Sequence, residues 1–237
     1  MQRWMKTAVD YLFPPRCPVC DALLAPGSEI CDGCEKEAVT VREPVCARCG
    51  KPLENERQEY CGDCARKKHS YEQGKAVFVY RAGIKKSMYR FKYSNRREYA
   101  QFYARKAALL YGGWIARKHI EVIVPVPMYP KKKRRRGYNQ AEVFARALGR
   151  ELGIPVESGL LKRIRNTVPQ KELSDAQRQK NLKNAFQLVP DVVKYSHILL
   201  VDDIYTTGST MDEAAKALLS GGAERVCYVC ISIGAGF

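Results

Sequence analysis

"ILLVDDIYTTGSTM", residues 198–211, runs four apolar positions straight into two adjacent carboxylates, then into a loop of hydroxyls and one glycine. A continuous apolar strand, here "HILLV" (197–201), is one buried on both faces. Asp202 and Asp203 then stand at its carboxyl end, where open α/β sheets bind ligands. The loop Thr206, Thr207, Gly208, Ser209 and Thr210 leads into a helix expected over 211–220 and closed by Gly221-Gly222.

A helix start offers unpaired N–H groups and a partial positive charge, which suit a phosphate. Gly208 lets the backbone approach closely, and the hydroxyls add donors. Two carboxylates beside a phosphate cradle would repel an anion unless they hold ribose hydroxyls or a bridging divalent cation. The inferred ligand therefore carries a sugar and a phosphate together, with magnesium. Each feature alone has a plainer reading, as an N-cap or a solvated turn. Their conjunction at one strand end is harder to explain that way. Neither GxxxxGK[ST] nor a GxGxxG after a strand occurs in the chain.

Around this stretch, strands and helices alternate. Strands are expected at 75–81, 121–128, 185–189 and 226–233. Helices are expected at 84–93, at 97–111 with Phe102, Ala107, Leu109 and Leu110, and at 139–152 with Ala141, Phe144, Leu148 and Leu152 on one face. This order predicts an α/β fold with a parallel sheet and helices on both sides.

The 237 residues suffice for one sizeable core plus a small module. No apolar run reaches the length of a transmembrane helix, so no membrane insertion is expected. "MQRWMKTAVDYLFPP" lacks the apolar core and cleavage site of a secretion signal, and reads as a short amphipathic helix of a cytoplasmic protein.

Eight of the ten cysteines form four CxxC pairs: Cys17/Cys20, Cys31/Cys34, Cys46/Cys49 and Cys61/Cys64. Two such knuckles set four thiolates around one zinc, and about ten residues between knuckles allow two consecutive zinc ribbons. An interleaved pairing, or a single shared zinc, also fits the spacing. A disulfide framework is disfavoured without a secretion signal. A segment this short buries little apolar surface, so metal would supply its folding energy. Cys227 and Cys230 lie three apart on an expected strand, point to opposite faces, and read as core.

The net charge is +16, and its distribution divides the chain as the cysteines do. Residues 1–70 hold 11 Lys+Arg against 11 Asp+Glu, whereas residues 71–237 hold 30 against 14. A small cysteine-rich module (1–70) and a larger α/β domain (71–237) are therefore expected. The basic excess favours polyanions as partners, and the neutral module is expected to be structural rather than the main grip on a phosphate backbone.

"ILLVDDIYTTGST" resembles the phosphoribosyl-pyrophosphate (PRPP) motif of type I phosphoribosyltransferases. "VPVPMYPKKKRRRGYNQAEVFARAL" and "RNTVPQKELSDAQRQKNLKNAF" resemble the ComF branch, the competence-protein and GntX-like relatives, in which cysteine knuckles precede the transferase fold. The resemblance implies that Asp202 and Asp203 contact the ribose hydroxyls, that Thr206 to Thr210 wrap the 5′-phosphate, and that magnesium rides with the pyrophosphate. It places Arg136 and Lys133 on the pyrophosphate side. It makes 163–181 a loop that closes over the ligand, with Arg165, Thr167, Gln170 and Arg178 matching the ComF pattern.

Lys131, Lys132, Lys133, Arg134, Arg135 and Arg136 also read as a candidate nucleic-acid surface, or as a solvated loop. Tyr138 alongside either stacks on a base or packs against the sheet. Two functions remain. One is a PRPP-binding protein that handles single-stranded DNA in natural transformation, with other DNA-uptake proteins as possible partners. The other is an active phosphoribosyltransferase with no role in DNA. The acceptor is not legible, and Cys17, being in a knuckle, is not a glutaminase nucleophile.

Overall fold

The computed structural model describes residues 14–165, 184–189 and 193–234. The helix expected at the N-terminus and the site residues Thr167, Gln170 and Arg178 lie outside them. The strands are β1 (Gly74–Val79), β2 (Val122–Pro125), β3 (Leu161–Arg163), β4 (Phe186–Leu188), β5 (His197–Tyr205) and β6 (Arg225–Ile233). The helices are α1 (Asp32–Glu35), α2 (Gly62–Arg66), α3 (Ala82–Tyr93), α4 (Tyr99–Arg117), α5 (Pro130–Arg136), α6 (Gln140–Leu152) and α7 (Ser209–Ser220).

A parallel sheet of order β1-β6-β5-β2 forms the centre. Alternation along the strands supplies two cores. Leu199, Val201, Cys227, Val229 and Ile231 face α3, α4 and α6, packing with Phe91, Tyr103, Phe144 and Leu148. Leu200, Tyr228 and Cys230 face α7, packing with Met211, Ala215 and Leu218. Cys227 and Cys230 thus lie on opposite faces, both fully buried, as their spacing predicts.

Three expectations need correction. "AFQLV" is not a strand of the main sheet. Its β4 pairs antiparallel with β3 in a separate two-stranded sheet, which takes in Arg163, the first residue of the expected closing loop. The helix expected over 97–111 runs on to Arg117, and it turns Leu109 (78% exposed) and Leu110 (43%) outward. The glycine pair 112–113 would weaken an isolated helix. Here Ile115 is buried, and the Trp114 indole N–H donates to Gln73 Oε1 at 2.8 Å, which anchors the last turns. The basic run is helical too, as α5, with Pro130 in its first turn and Gly137 at its end.

Both sheet edges are covered, which removes the open ladders that invite aggregation. Residues 39–41 pair with β1, Val41 N–H donating to Val77 O and Val79 N–H to Val39 O, each at 2.9 Å. Pro155 to Glu157 pair alongside Ile123 of β2. The strip 39–41 also joins the two cysteine groups, which therefore sit on opposite sides of the sheet. Cys17, Val19 and Ala38 enter the core of the α4 face, and Cys46, Cys49 and Leu53 enter that of the α7 face. Gly74 makes room for this arrangement, because a Cβ there would lie 2.0 Å from the Tyr228 ring. Among the described residues no helix is long and apolar enough to cross a membrane.

Candidate functional site

β5 continues past Val201, because β6 stays in register beside it as far as Tyr205 opposite Ile233. The two carboxylates therefore lie within the last part of a paired strand, where the sequence reading ended it before them. Strand alternation then sends them to opposite faces. Asp203 turns to the α3 side, where Lys92 Nζ lies 2.9 Å from its Oδ2, both side chains largely shielded. Asp202 turns towards β3, and its Oδ1 accepts the Asp203 N–H at 2.8 Å. Burial and the neighbouring Asp203 charge push the Asp202 carboxyl up to about 7, against the opposing pull of Lys92 and Arg163.

The loop that follows is tightly constrained at one point. Gly208 has φ +79°, and a Cβ there would meet Tyr205 Oη at 2.5 Å, so both conformation and space require glycine. α7 begins at Ser209, two residues earlier than the spacing suggests, with Gly208 as its N-cap. Gly208 brings no side-chain cap to this end, and helix starts are where backbone N–H groups can meet an anion. Ser209 is buried with its Oγ 3.2 Å from Thr207 Oγ1, Thr206 is exposed, and Thr210 is half-buried.

Behind the loop stands a polar clamp. Asp212, in the first turn of α7, accepts hydrogen bonds from Lys67 Nζ (2.6 Å), His69 Nδ1–H (2.8 Å) and Ser70 N–H (2.9 Å). Burial opposes its ionisation, but the His69 and Lys67 hydrogen bonds win, so its carboxyl is held below the usual range. Tyr205, under Gly208, stacks on Tyr228 with ring centres 5.1 Å apart and shares a 2.7 Å hydrogen bond with Tyr71. Tyr228 OH in turn donates to Cys49 O at 2.8 Å. The second cysteine group is thereby tied to the loop through two aromatic rings.

On the other flank, Lys92, Tyr93, Asn95, Lys132, Arg135 and Arg136 line a cavity of about 340 Å³. Arg136 Nη1 donates to Gln140 Oε1 at 2.6 Å, and its guanidinium lies 4.9 Å over the Tyr93 ring. Burial and the charges of Arg163, Arg135 and Arg136 lower the affinity of the Lys132 ammonium for its proton, a mark of crowded cations. Lys133 lies 3.0 Å from Glu142 and is not among the residues lining the cavity. Lys131 and Arg134 are exposed, and Arg165 is exposed just past β3. Tyr138 is buried, its hydroxyl donating to Phe91 O with Arg97 over its ring, so it packs rather than offering a free face.

The cysteines gather as two consecutive groups, Cys17/Cys20/Cys31/Cys34 and Cys46/Cys49/Cys61/Cys64, with all Sγ atoms of a group within 4.8 Å of one another. Cys20 and Cys31 Sγ are 3.7 Å apart, and Cys49 and Cys61 Sγ 3.6 Å. A disulfide needs about 2.05 Å. A tetrahedron with Zn–S of about 2.3 Å has edges of about 3.8 Å, so both groups fit Zn²⁺. Hydrogen bonds from Cys49 and its neighbours drive the Cys46 thiol far below its ordinary value, while Cys46 pushes Cys49 far above. Four thiolates cannot ionise together without a cation among them.

Sequence reasoning missed Lys92, Arg163 and the Asp212 clamp. None stands in a motif: Lys92 sits within a basic helix, and Asp212 looks like an ordinary first-turn acid. Two results are expected here. Cys46→Ser, at a fully buried ligand, should release one zinc and lower the melting temperature more than Cys20→Ser at an exposed one, as read by metal analysis and thermal melts. The folded state favours protonated Asp202, so its contribution to stability is full below about pH 4 and is lost as pH rises through about 7. Asp202→Asn should therefore be more stable than wild type at pH 8, by roughly 1–3 kcal/mol in denaturant unfolding, with the gain shrinking at pH 5.

Residues 8–65 match the double zinc ribbon domain, and residues 139–233 the phosphoribosyl transferase domain. The chain is 35% identical to competence protein F of Haemophilus influenzae, over 83% of this chain and 87% of that one. It is 34% identical to the DNA utilization protein YhgH of Escherichia coli K12, over 92% and 96%. Competence protein ComFC of Bacillus subtilis is 27% identical over 84% and 82%. With zinc-binding ribbons braced on a sheet that ends in the carboxylate pair, and relatives at this level across most of its length, the chain belongs to the ComF family of competence proteins.

Proposed function

We propose that this protein binds PRPP at the carboxyl end of β5 and handles single-stranded DNA in the cytoplasm during DNA uptake. In this division of labour, residues 71–237 hold the ligands and residues 1–70 brace them. One observation carries the reading. The Asp202–Asp203 pair lies between an uncapped helix start at Gly208 and a cavity lined by Lys132, Arg135 and Arg136. A ligand with a sugar between two phosphate groups matches that order of charges.

In this reading the first-turn amides and the hydroxyls of Thr206, Thr207, Ser209 and Thr210 take the 5′-phosphate. The carboxylates of Asp202 and Asp203 take the ribose hydroxyls. Arg136 and the cations near it take the pyrophosphate, with Lys133, Arg165 and the loop residues Thr167, Gln170 and Arg178 in support. Both carboxylates are oxygen donors of the type magnesium prefers, and magnesium would supply charge neutralisation at the pyrophosphate. Lys92 has a role of its own here. It balances Asp203 at 2.9 Å, and it can turn to the anion when ribose hydroxyls replace it.

The cations along α5, joined by those of α3, give the DNA reading its support, since phosphate contacts dominate non-specific affinity. The relatives' names, competence protein and DNA utilization protein, point the same way. Other DNA-uptake proteins would be partners in that role. A second reading, transfer of ribose 5-phosphate to an acceptor, is favoured by the phosphoribosyl transferase domain match over residues 139–233. Charge and positioning would then stabilise the oxocarbenium-like state.

Calorimetric titration of PRPP with magnesium should show binding in the wild type and a loss of tenfold or more in Asp202→Asn/Asp203→Asn. No binding by a folded, zinc-loaded wild type would overturn the sugar-phosphate reading. Affinity for a single-stranded oligonucleotide should fall steeply with salt, and replacing Lys131, Arg134 and Arg135 by Gln should flatten that slope. Binding that ignores salt would remove the role assigned to α5.

A further inference from the structure

α3 has an exposed stripe that the fold does not use and that the PRPP reading meets only at its Tyr93 end, which lines the cavity. Its buried side, Ile84, Met88 and Phe91, packs into the core. The opposite stripe carries Lys85, Tyr89 and Tyr93 at four-residue spacing. Tyr89 is 63% exposed and Tyr93 60%, and their ring centres lie 5.0 Å apart. Large aromatic rings bury well elsewhere in this chain, as Tyr71, Tyr99 and Tyr103 do. Two adjacent rings left open to water therefore point to a ligand with apolar faces.

The surroundings say which kind. The Arg136 guanidinium covers one side of Tyr93 at 4.9 Å, and its Nη2 donates to the Tyr93 hydroxyl at 3.3 Å. The cavity lined by Lys92, Lys132, Arg135 and Arg136 opens beside that ring. Neither 82–97 nor 130–138 contains an Asp or Glu. Among the described residues no carboxylate pairs with Lys85, Lys86 or Arg135. Alternating aromatic faces and cations are what a single strand requires: bases stack on the rings while phosphates follow the charges. A duplex would keep its base faces hidden.

We propose that Tyr89 and Tyr93 form a stacking platform for the bases of a single-stranded nucleic acid whose phosphates lie along the cations of α3 and α5. The platform rests on the DNA reading above and extends it by naming where bases, as distinct from phosphates, are held. Tyr89 is its outer end, and Tyr93, beside Lys92, is the end nearest the carboxylate pair.

Fluorescence anisotropy with a labelled thymidine oligomer of about 20 nucleotides, and with an abasic strand of the same length, tests it. The full-length, zinc-loaded chain is used, with folding checked by circular dichroism. Tyr89→Leu and Tyr93→Leu should each weaken thymidine-oligomer binding about tenfold, and Tyr89→Phe and Tyr93→Phe should restore it. The salt slope should stay unchanged, because no phosphate contact is lost. Wild type should prefer the thymidine oligomer to the abasic strand, and the double Leu variant should lose that preference. Equal binding by the Leu variants, or equal binding of both strands by wild type, overturns the platform and leaves the DNA reading standing. Absence of any binding by wild type at low salt overturns the DNA reading and the platform together.

Discussion

The Asp212 carboxylate is the tie on which the ligand end of the molecule depends. It sits in the first turn of α7 and is held by Lys67, His69 and Ser70, all more than a hundred residues away in sequence. A buried carboxylate is costly unless charge-assisted hydrogen bonds surround it, and three do. The contact joins the end of the second cysteine group to the helix whose start carries Gly208. Tyr71, Tyr205 and Tyr228 fill the space beneath, so the loop rests on a wall built partly by the ribbon. Zinc bound more than a hundred residues upstream thereby helps hold a loop that no cysteine touches.

That tie also gives the cysteine module its meaning. Its two groups clasp the sheet from both faces, and the strip between them closes the β1 edge. Two of its acids pair with cations of the larger part, Asp21 with Arg96 (2.7 Å) and Glu29 with Arg105 (2.5 Å). The basic excess stays on the exposed sides of α3 and α5, where a polyanion can reach it.

The electrostatics of the candidate site follow from one strand's alternation. Asp202 and Asp203 are adjacent in sequence, yet they point to opposite faces: Lys92 pairs directly with Asp203, while Asp202 feels Lys92 and Arg163 only through their charge. Asp203 is balanced by Lys92. Asp202 is buried beside a like charge and holds its proton to near neutrality. Two oxygen-rich groups are thus held side by side at the strand end at a cost to stability, the kind of perturbed pair that marks candidate functional sites.

Much of this was written in local sequence. Apolar runs marked the strands, three- and four-residue spacing marked α6, and CxxC spacing marked the zinc ligands, because each pattern is set by backbone geometry over a few residues. The motif at 198–211 marked the candidate site for the same reason. Tertiary structure alone decided the rest. It chose consecutive over interleaved cysteine groups, carried β5 through both carboxylates, and moved "AFQLV" out of the main sheet. It extended α4 through a glycine pair and brought Lys92, Arg163 and Asp212 to the site. Each of these turns on a partner distant in the chain, and such pairings leave no periodicity or spacing for a single sequence to display.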